Sequence, residues 1–449
     1  MSAMKEQVRN FFGKSDVHHQ IYVFLLVLFV IFLPTSKYMT SLIQFLLAIH
    51  WLIRGGLKSR LLKLFKSPAL VIFLVLFMWH VFGLFYSSDL EYGIHDLKIK
   101  LPLLILPLVI GTSEKVSPGE LRAILLFFVA AVFTSSVVSV LAIVGWIPMT
   151  LKDFRDASLF ISHIRFALLV DMSIFILTFY ALRPQTSKKE RGVYFLFALY
   201  FIGFLILSKA LTGIVVALLV GTLLALRWIL TKKSLMARWF ALVGVLTIPI
   251  LVTTYIGSES AKFYTIKDDL TQLDPFTIQG NVYWHDTTNL LLENGHFVGL
   301  YWCEKELMEA WKERSSFSYQ GDDLRGQELR YTLIRYLTSL GYRKDAAGVS
   351  RLTPEDISLI ENGFANVIYR DKNNFHNRMY QLIWQVDVYR KGGNPSGHSL
   401  TQRMEYFKTG WAIFQEKPYF GVGSGDVPAA FVKKYIEIDS QLEPKWQLR

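Results

Sequence analysis

The sequence predicts an all-α protein: a polytopic transmembrane helix bundle with a large helical loop domain outside the bilayer. Three observations carry this. Of 449 residues, 52% are apolar and only 19% charged, with mean hydropathy +0.33, well above the usual apolar share of soluble domains. Nine apolar runs approach or reach the length needed to cross roughly 30 Å of hydrocarbon. The segment 258–449 that follows them is polar, but its apolar residues fall at helical spacing.

The apolar runs lie near 17–33, 38–53, 68–86, 97–111, 121–146, 159–182, 193–208, 210–230 and 238–257. The first follows Lys5, Arg9 and Lys14 but lacks a small-x-small cleavage site and leads straight into the second, so it reads as a retained helix. Lys and Arg alternate in density between successive loops. One side collects eighteen, in the amino-terminal segment, Arg54 to Lys66, Lys115 with Arg122, Arg183 to Arg191 and Arg227 to Arg238. The other side has Lys37, Lys98, Lys100, Lys152, Arg155 and Lys209. The positive-inside rule then puts the amino terminus in the cytoplasm and residues 258–449 outside. The expected domains are 1–257, the bundle, and 258–449, the loop domain. The net charge of +12 is accounted for by these membrane-flanking loops, and nucleic acid is not indicated.

Within 258–449 the helices have visible starts and stops. Leu329, Leu333, Tyr336, Leu337 and Leu340 share one face, and Gly341 ends that helix. Thr353-Pro354 with Asp356 reads as an N-cap and first turn, closed by Asn362-Gly363. Met379, Leu382, Ile383 and Val386 mark another helix, which Gly392-Gly393-Asn394-Pro395 stops. Ser399 caps a helix with Leu400, Met404, Phe407, Trp411 and Phe414 on one stripe, ended by Pro418. That stripe requires an apolar partner, either a neighbouring loop helix or the membrane interface.

Charges inside spans are costly and therefore functional candidates. Arg165 and Asp171 share a run, with His163 at its edge. Six residues turn a helix by about 600°, so the two do not share a face. Lys209 occupies the tight turn between the seventh and eighth runs, where a snorkelling lysine is the structural alternative. Arg403 sits on the loop helix beside Met404, with an ordinary surface arginine as its alternative. The run Gly421-Val422-Gly423-Ser424-Gly425-Asp426 offers backbone amides to an anion. Its alternative is a helix-to-helix turn with Asp426 capping the next helix. The histidines His285, His296, His376 and His398 are scattered, without zinc-ligand spacing, and Cys303, the only cysteine, leaves the chain no disulfide. No cofactor or metal is expected.

The stretch from His398-Ser399 through Arg403, Trp411 and Pro418 to Gly421-Val422-Gly423-Ser424-Gly425, preceded by the nine runs, resembles the loop signature of the O-antigen ligase and O-antigen polymerase superfamily of bacterial membrane glycosyltransferases. The likeness extends over nearly the whole chain. Gly341 to Asp356 and Tyr389 to His398 are similar to the enlarged loops of Bacteroidetes members. The resemblance implies transfer of a glycan from undecaprenyl pyrophosphate to lipid A-core, without a metal, at the periplasmic face of the inner membrane. It implies that Arg403, Lys209 and Arg165 hold the pyrophosphate, with His398, Gly421, Gly423, Gly425 and Asp426 in the loop motif. Lys209 departs from the arginine usual at its position and gives a point charge in place of a bidentate fork. The family's catalytic histidine, followed by Asn, is expected just past Arg449, with further spans after it. An O-antigen polymerase or a protein O-glycosyltransferase would differ in acceptor only. A membrane transporter, the reading from another class, would show related halves, and no internal repeat is visible.

The topology is open to a direct test at Cys303. In intact spheroplasts a membrane-impermeant maleimide should label Cys303, at least after mild denaturation relieves burial, and Cys303→Ser should remove the signal. Labelling that needs an opened inner membrane would place the loop in the cytoplasm and end the glycan-transfer reading with it.

Overall fold

The structure, a computed structural model, describes residues 16–147, 158–231, 234–288, 290–370 and 375–447. Among the described residues the regular elements are helices apart from one two-stranded hairpin, as the sequence predicts. They divide into two compact units, Met1–Leu246 with Val422–Asp426, and Thr247–Gly421 with Val427–Arg449. This division falls at Leu246/Thr247, eleven residues before the expected 257/258. The last long apolar helix crosses it, and five residues of the polar segment belong to the bundle.

The bundle comprises α1 (Val17–Phe32), α2 (Lys37–Ile53), α3 (Leu57–Lys66), α4 (Pro68–Phe82), α5 (Leu90–Lys100), α6 (Pro102–Thr112), α7 (Pro118–Ile143), α8 (His163–Ala181), α9 (Lys188–Leu207), α10 (Leu211–Leu230) and the first part of α11 (Leu235–Tyr264). Among the described residues five of these, α7 to α11, are long and apolar enough to span a bilayer, or six if α2 and α3, bent by 113°, form one broken span. The expectation of nine spans is corrected accordingly. α1 and α4 are apolar but short. The run near 97–111 is broken at Leu101-Pro102, where proline has no N–H for the helix ladder, and α5 carries Glu91, Asp96, Lys98 and Lys100.

The bundle core lies where α7, α8 and α9 meet, around Phe128, Val132, Val170, Leu177 and Phe201. Much of α10 and α11 leaves its leucines and valines exposed, which in hydrocarbon is no penalty. Starts are fixed by sequence: Ser117/Glu120 and Ser187/Glu190 form capping boxes for α7 and α9. Polar contacts collect at one end. His19 Nε2 lies 3.0 Å from Glu120 Oε1, Arg54 pairs with Glu114 and, at 3.6 Å, with Asp16, and Arg122 donates to Glu190 at 2.9 Å. The start of α1, the end of α2, the end of α6 and the starts of α7 and α9 thus share one face of the bundle. These are the loops in which the sequence concentrates Lys and Arg.

The second unit contains β1 (Leu292–Glu293), β2 (His296–Phe297), α12 (Glu304–Arg314), α13 (Leu329–Ser339), α14 (Ala346–Ser350), α15 (Pro354–Glu361), α16 (Phe375–Arg390), α17 (Ser399–Glu416) and α18 (Val427–Glu437). Its core packs Leu307 and Trp311 of α12 against Leu329, Leu333, Tyr336 and Leu337 of α13 and Ile360 of α15, so the α13 stripe is buried as expected. Gly341 follows α13 at φ +70, and the N–H of Tyr342 reaches the Leu337 carbonyl at 2.9 Å. That is the left-handed helix stop that glycine adopts without strain. Lys344 is buried, and its Nζ donates to the carbonyls of Leu300 and Phe297 at 2.6 and 3.2 Å. Burial pulls its ammonium down to about 8, with Asp268 opposing.

Thr353 caps α15 in a capping box with Asp356. Asp356 also accepts from the Tyr336 hydroxyl and pairs with Arg370. Burial works against the charge of Asp356, but hydrogen bonds from Tyr336, Thr353 and Arg370 outweigh it and hold the carboxyl at about 2. The shift from 3.8 corresponds to about 2 kcal/mol. Asp356→Asn should lower the stability of this unit by about 2 kcal/mol near neutral pH. Because the folded pKa is depressed, the stabilisation is complete above the unfolded value and is lost as pH falls from about 4 to about 2. Hydrogen exchange of the α13 and α15 amides in the purified protein should report both effects, and a variant unchanged at pH 7 would refute the assignment.

Candidate functional site

The positively charged candidates in the bundle lie opposite the ion-paired end. α8 and α10 both begin where α9 finishes, and Gly213 of α10 sits so close to α8 that a Cβ there would lie 3.0 Å from the Ala167 methyl. Arg165 and Lys209, shortly before these residues, therefore share one end of the α8–α10 trio. Arg165 is in the first turn of α8, the third residue of the span His163–Ala181, and exposed. Asp171 is buried on the other side of α8, and the two do not share a face, as the rotation argument requires.

Lys209 is held unusually. The N–H of Lys209 donates to the Ile206 carbonyl and that of Ala210 to the Leu205 carbonyl, each at 3.1 Å. This is the double hydrogen bond that ends a helix with one left-handed residue, commonly glycine. Lys209 occupies that position at φ 51, a conformation that costs a side-chain-bearing residue about 1–2 kcal/mol. Asn294, Tyr301 and Asp439 adopt the same region at φ 52, 52 and 50, and such outliers are the starting point of a functional hypothesis.

The glycine-rich run is not an open cradle. Within the bundle unit, Ser424 N–H donates to the Gly83 carbonyl at 3.1 Å and its hydroxyl to the His80 carbonyl at 2.7 Å. Gly425 N–H donates to Ser87 Oγ at 2.9 Å. The Asp426 carboxylate accepts from the N–H groups of Ser88 at 2.9 Å and Asp89 at 3.1 Å, just before α5. The expected anion-binding amides of Ser424 and Gly425 are thus committed to the turn between α4 and α5, and Asp426 gains partners more than 300 residues away in sequence. Close approach explains the glycines: a Cβ on Gly425 would fall 1.9 Å from the Asp89 carbonyl oxygen, and one on Gly423 2.7 Å from Ser87 Oγ. Gly421, at φ +71, has open space around it.

In the other unit α17 turns its polar face inward, so that among the described residues its apolar stripe has no neighbouring loop helix as partner. Its buried face is Thr401, Glu405 and Thr409. Glu405 accepts from the Tyr389 hydroxyl at 2.6 Å and the Ser440 hydroxyl at 2.7 Å. Burial opposes its charge, but these bonds prevail and keep its pKa below the usual glutamate range. The apolar stripe faces out instead: Phe407 is 72% and Trp411 51% exposed, with their rings stacked at 6.3 Å. Arg403 is exposed on the same helix.

His398, immediately before α17, packs edge-on against Trp384 at 5.5 Å, and the Arg335 guanidinium lies 4.2 Å from the same indole. Burial first, and the Arg335 charge second, push the imidazole below the usual histidine range, favouring the neutral form. Arg335 in turn donates to Glu293 at 2.7 Å, and Asn366 and Tyr380 donate to the other Glu293 oxygen at 2.6 and 3.2 Å. Sequence reasoning missed this buried carboxylate. Its signal is present: Asn294-Gly295, both at positive φ, is the dipeptide of a two-residue hairpin, and the hairpin buries Glu293 completely.

No family model, curated protein or solved structure matches this chain. The geometry therefore stands by itself. Among the described residues no group of three or more His, Cys, Asp or Glu side chains is arranged to hold a metal ion. The arrangement supplies two cations at one end of an apolar bundle, and, in the second unit, an arginine on an exposed aromatic helix and a neutral histidine.

Docking of the glycine-rich run separates two similar substitutions. Gly425→Ala should undock it and speed hydrogen exchange both at 84–89 and at 422–426. Gly421→Ala should cost about 1 kcal/mol locally and leave exchange at 84–89 unchanged. Equal exchange in the two variants would count against the contact.

Proposed function

We propose that this protein is a membrane glycosyltransferase, an O-antigen ligase, that moves a glycan from undecaprenyl pyrophosphate to lipid A-core at the periplasmic face of a bacterial inner membrane. The observation that carries the reading is Lys209, a cation kept in a left-handed turn that glycine would occupy without strain, at the bundle end that also holds Arg165. The amino terminus is cytoplasmic in this reading, because the ion-paired end is the basic one and positive loops stay inside. Arg165 and Lys209 then lie outside, and residues 258–449 are periplasmic.

The chemistry asks for fixed positive charge. Breaking a sugar–pyrophosphate bond develops negative charge on the leaving phosphate, and preorganised cations at a partly dry surface stabilise it. Arg165 and Lys209 supply charge from the bundle, and Arg403 supplies a bidentate fork. The exposed rings of Phe407 and Trp411 suit a helix that rests in the headgroup region, where a lipid-linked donor presents its pyrophosphate. An O-antigen polymerase or protein O-glycosyltransferase would use the same donor groups with another acceptor. The buried Asp171 carboxylate is the observation that favours a transporter.

In the full-length protein Arg403→Lys should lose most glycan transfer while inserting normally, since one ammonium does not reproduce a bidentate grip. Lys209→Gly should lose transfer as well, while thermal stability holds or rises by about 1 kcal/mol as the strained lysine is removed. Wild-type transfer by both variants, measured as glycan-bearing lipid A-core, would remove these residues from the site.

A further inference from the structure

Asp171 lies near the middle of α8 and is 2% exposed. Among the described residues neither of its carboxylate oxygens has a hydrogen-bond partner. An ionised carboxylate without a partner is prohibitively costly in hydrocarbon, and even the protonated acid leaves a donor and an acceptor unmet. Asp171 also lines a groove of about 420 Å³, within the size range of small-molecule sites and far above the roughly 30 Å³ share of one water. The walls come from three helices packed around it: Leu125 of α7, Leu168 and Phe175 of α8, and Val216 and Val220 of α10. Along α8 the lining runs from Leu168 to Tyr180, roughly 18 Å at 1.5 Å per residue.

We propose that this groove is a binding site for a neutral amphiphile, a lipid alcohol whose hydroxyl pairs with the protonated Asp171 carboxyl while its chain lies along α8. The lining decides the class. Asp171 and Tyr180 are its titratable members, so no basic side chain in the groove balances an anion, and no series of acidic groups continues as a proton path. A hydroxyl both accepts from and donates to a carboxylic acid, which meets both needs of the buried group. An alkyl chain needs only the surrounding leucine, valine and phenylalanine. The site lies at mid-span, separate from the helix end that carries Arg165 and Lys209, and does not depend on the glycosyltransferase reading.

Dicyclohexylcarbodiimide tests this in membrane vesicles containing the full-length protein. It partitions into hydrocarbon and adds to a protonated carboxyl. The carboxyl oxygen bonds to the carbodiimide carbon, the proton passes to nitrogen, and acyl migration gives a stable N-acylurea with nothing released. Mass spectrometry should find the adduct on Asp171 and not in Asp171→Asn. Dodecanol should reduce labelling roughly threefold at about twice its Kd by mass action, whereas dodecane at the same membrane load should leave it unchanged. Val220→Trp, which fills the groove without touching the carboxyl, should also reduce labelling. Absence of the adduct in wild-type protein, equal protection by dodecane, or protection by dodecylamine alone would overturn the proposal.

Discussion

The ion pairs at one end of the bundle fix which helix ends share a membrane face. Hydrocarbon offers no hydrogen-bond partner to a polar group, so His19, Arg54 and Arg122 find theirs in Glu120, Glu114 and Glu190. Each pair joins helices distant in sequence. Surface ion pairs in water contribute little; here their main consequence is sorting, because a helix entering from the wrong side would strand a charge in lipid. The opposite end of the α8–α10 trio carries Arg165 and Lys209.

The two units use opposite logic. In the bundle, apolar side chains face both core and lipid, and the paired charged groups lie at the ends, while Asp171 stays at mid-span. In the other unit the interior holds complete polar hubs: Glu293 with Arg335, Asn366 and Tyr380, and Asp356 with Tyr336, Thr353 and Arg370. A buried carboxylate is tolerated only when all its partners are present, and these hubs satisfy that condition. α17 follows from this. Glu405 has partners inside, so its polar face turns in and the aromatic stripe is left outside.

Much of this was legible locally. The helix stops at Gly341 and Gly363 and the Thr353-Asp356 cap rest on interactions between residues at most five apart, and such signals survive in a linear reading, as does the helical spacing of the α13 stripe, whose partners on α12 and α15 are distant in sequence. The alternation of basic loops anticipated the shared bundle face, because that rule counts charges without needing contacts. The Asn294-Gly295 hairpin was equally local, and its consequence, the burial of Glu293, follows only once α13 and α16 close over it. The span count failed where length and composition disagreed. The 97–111 run looks apolar on average, but Pro102 and the charges of α5 break it.

By itself the sequence determined an all-α membrane chain and several of its helix starts and stops, such as the Thr353 cap and the Gly341 stop. Those are properties of composition and near-neighbour geometry. Tertiary structure decided the rest. It spent the amides of Ser424 and Gly425 on the α4–α5 turn, turned the apolar face of α17 outward, and brought Arg165 and Lys209 to one end of the α8–α10 trio. It also left Asp171 buried beside an apolar groove. Each outcome depends on a partner far away in the chain, and hydrogen-bond saturation and burial are set only when those partners meet.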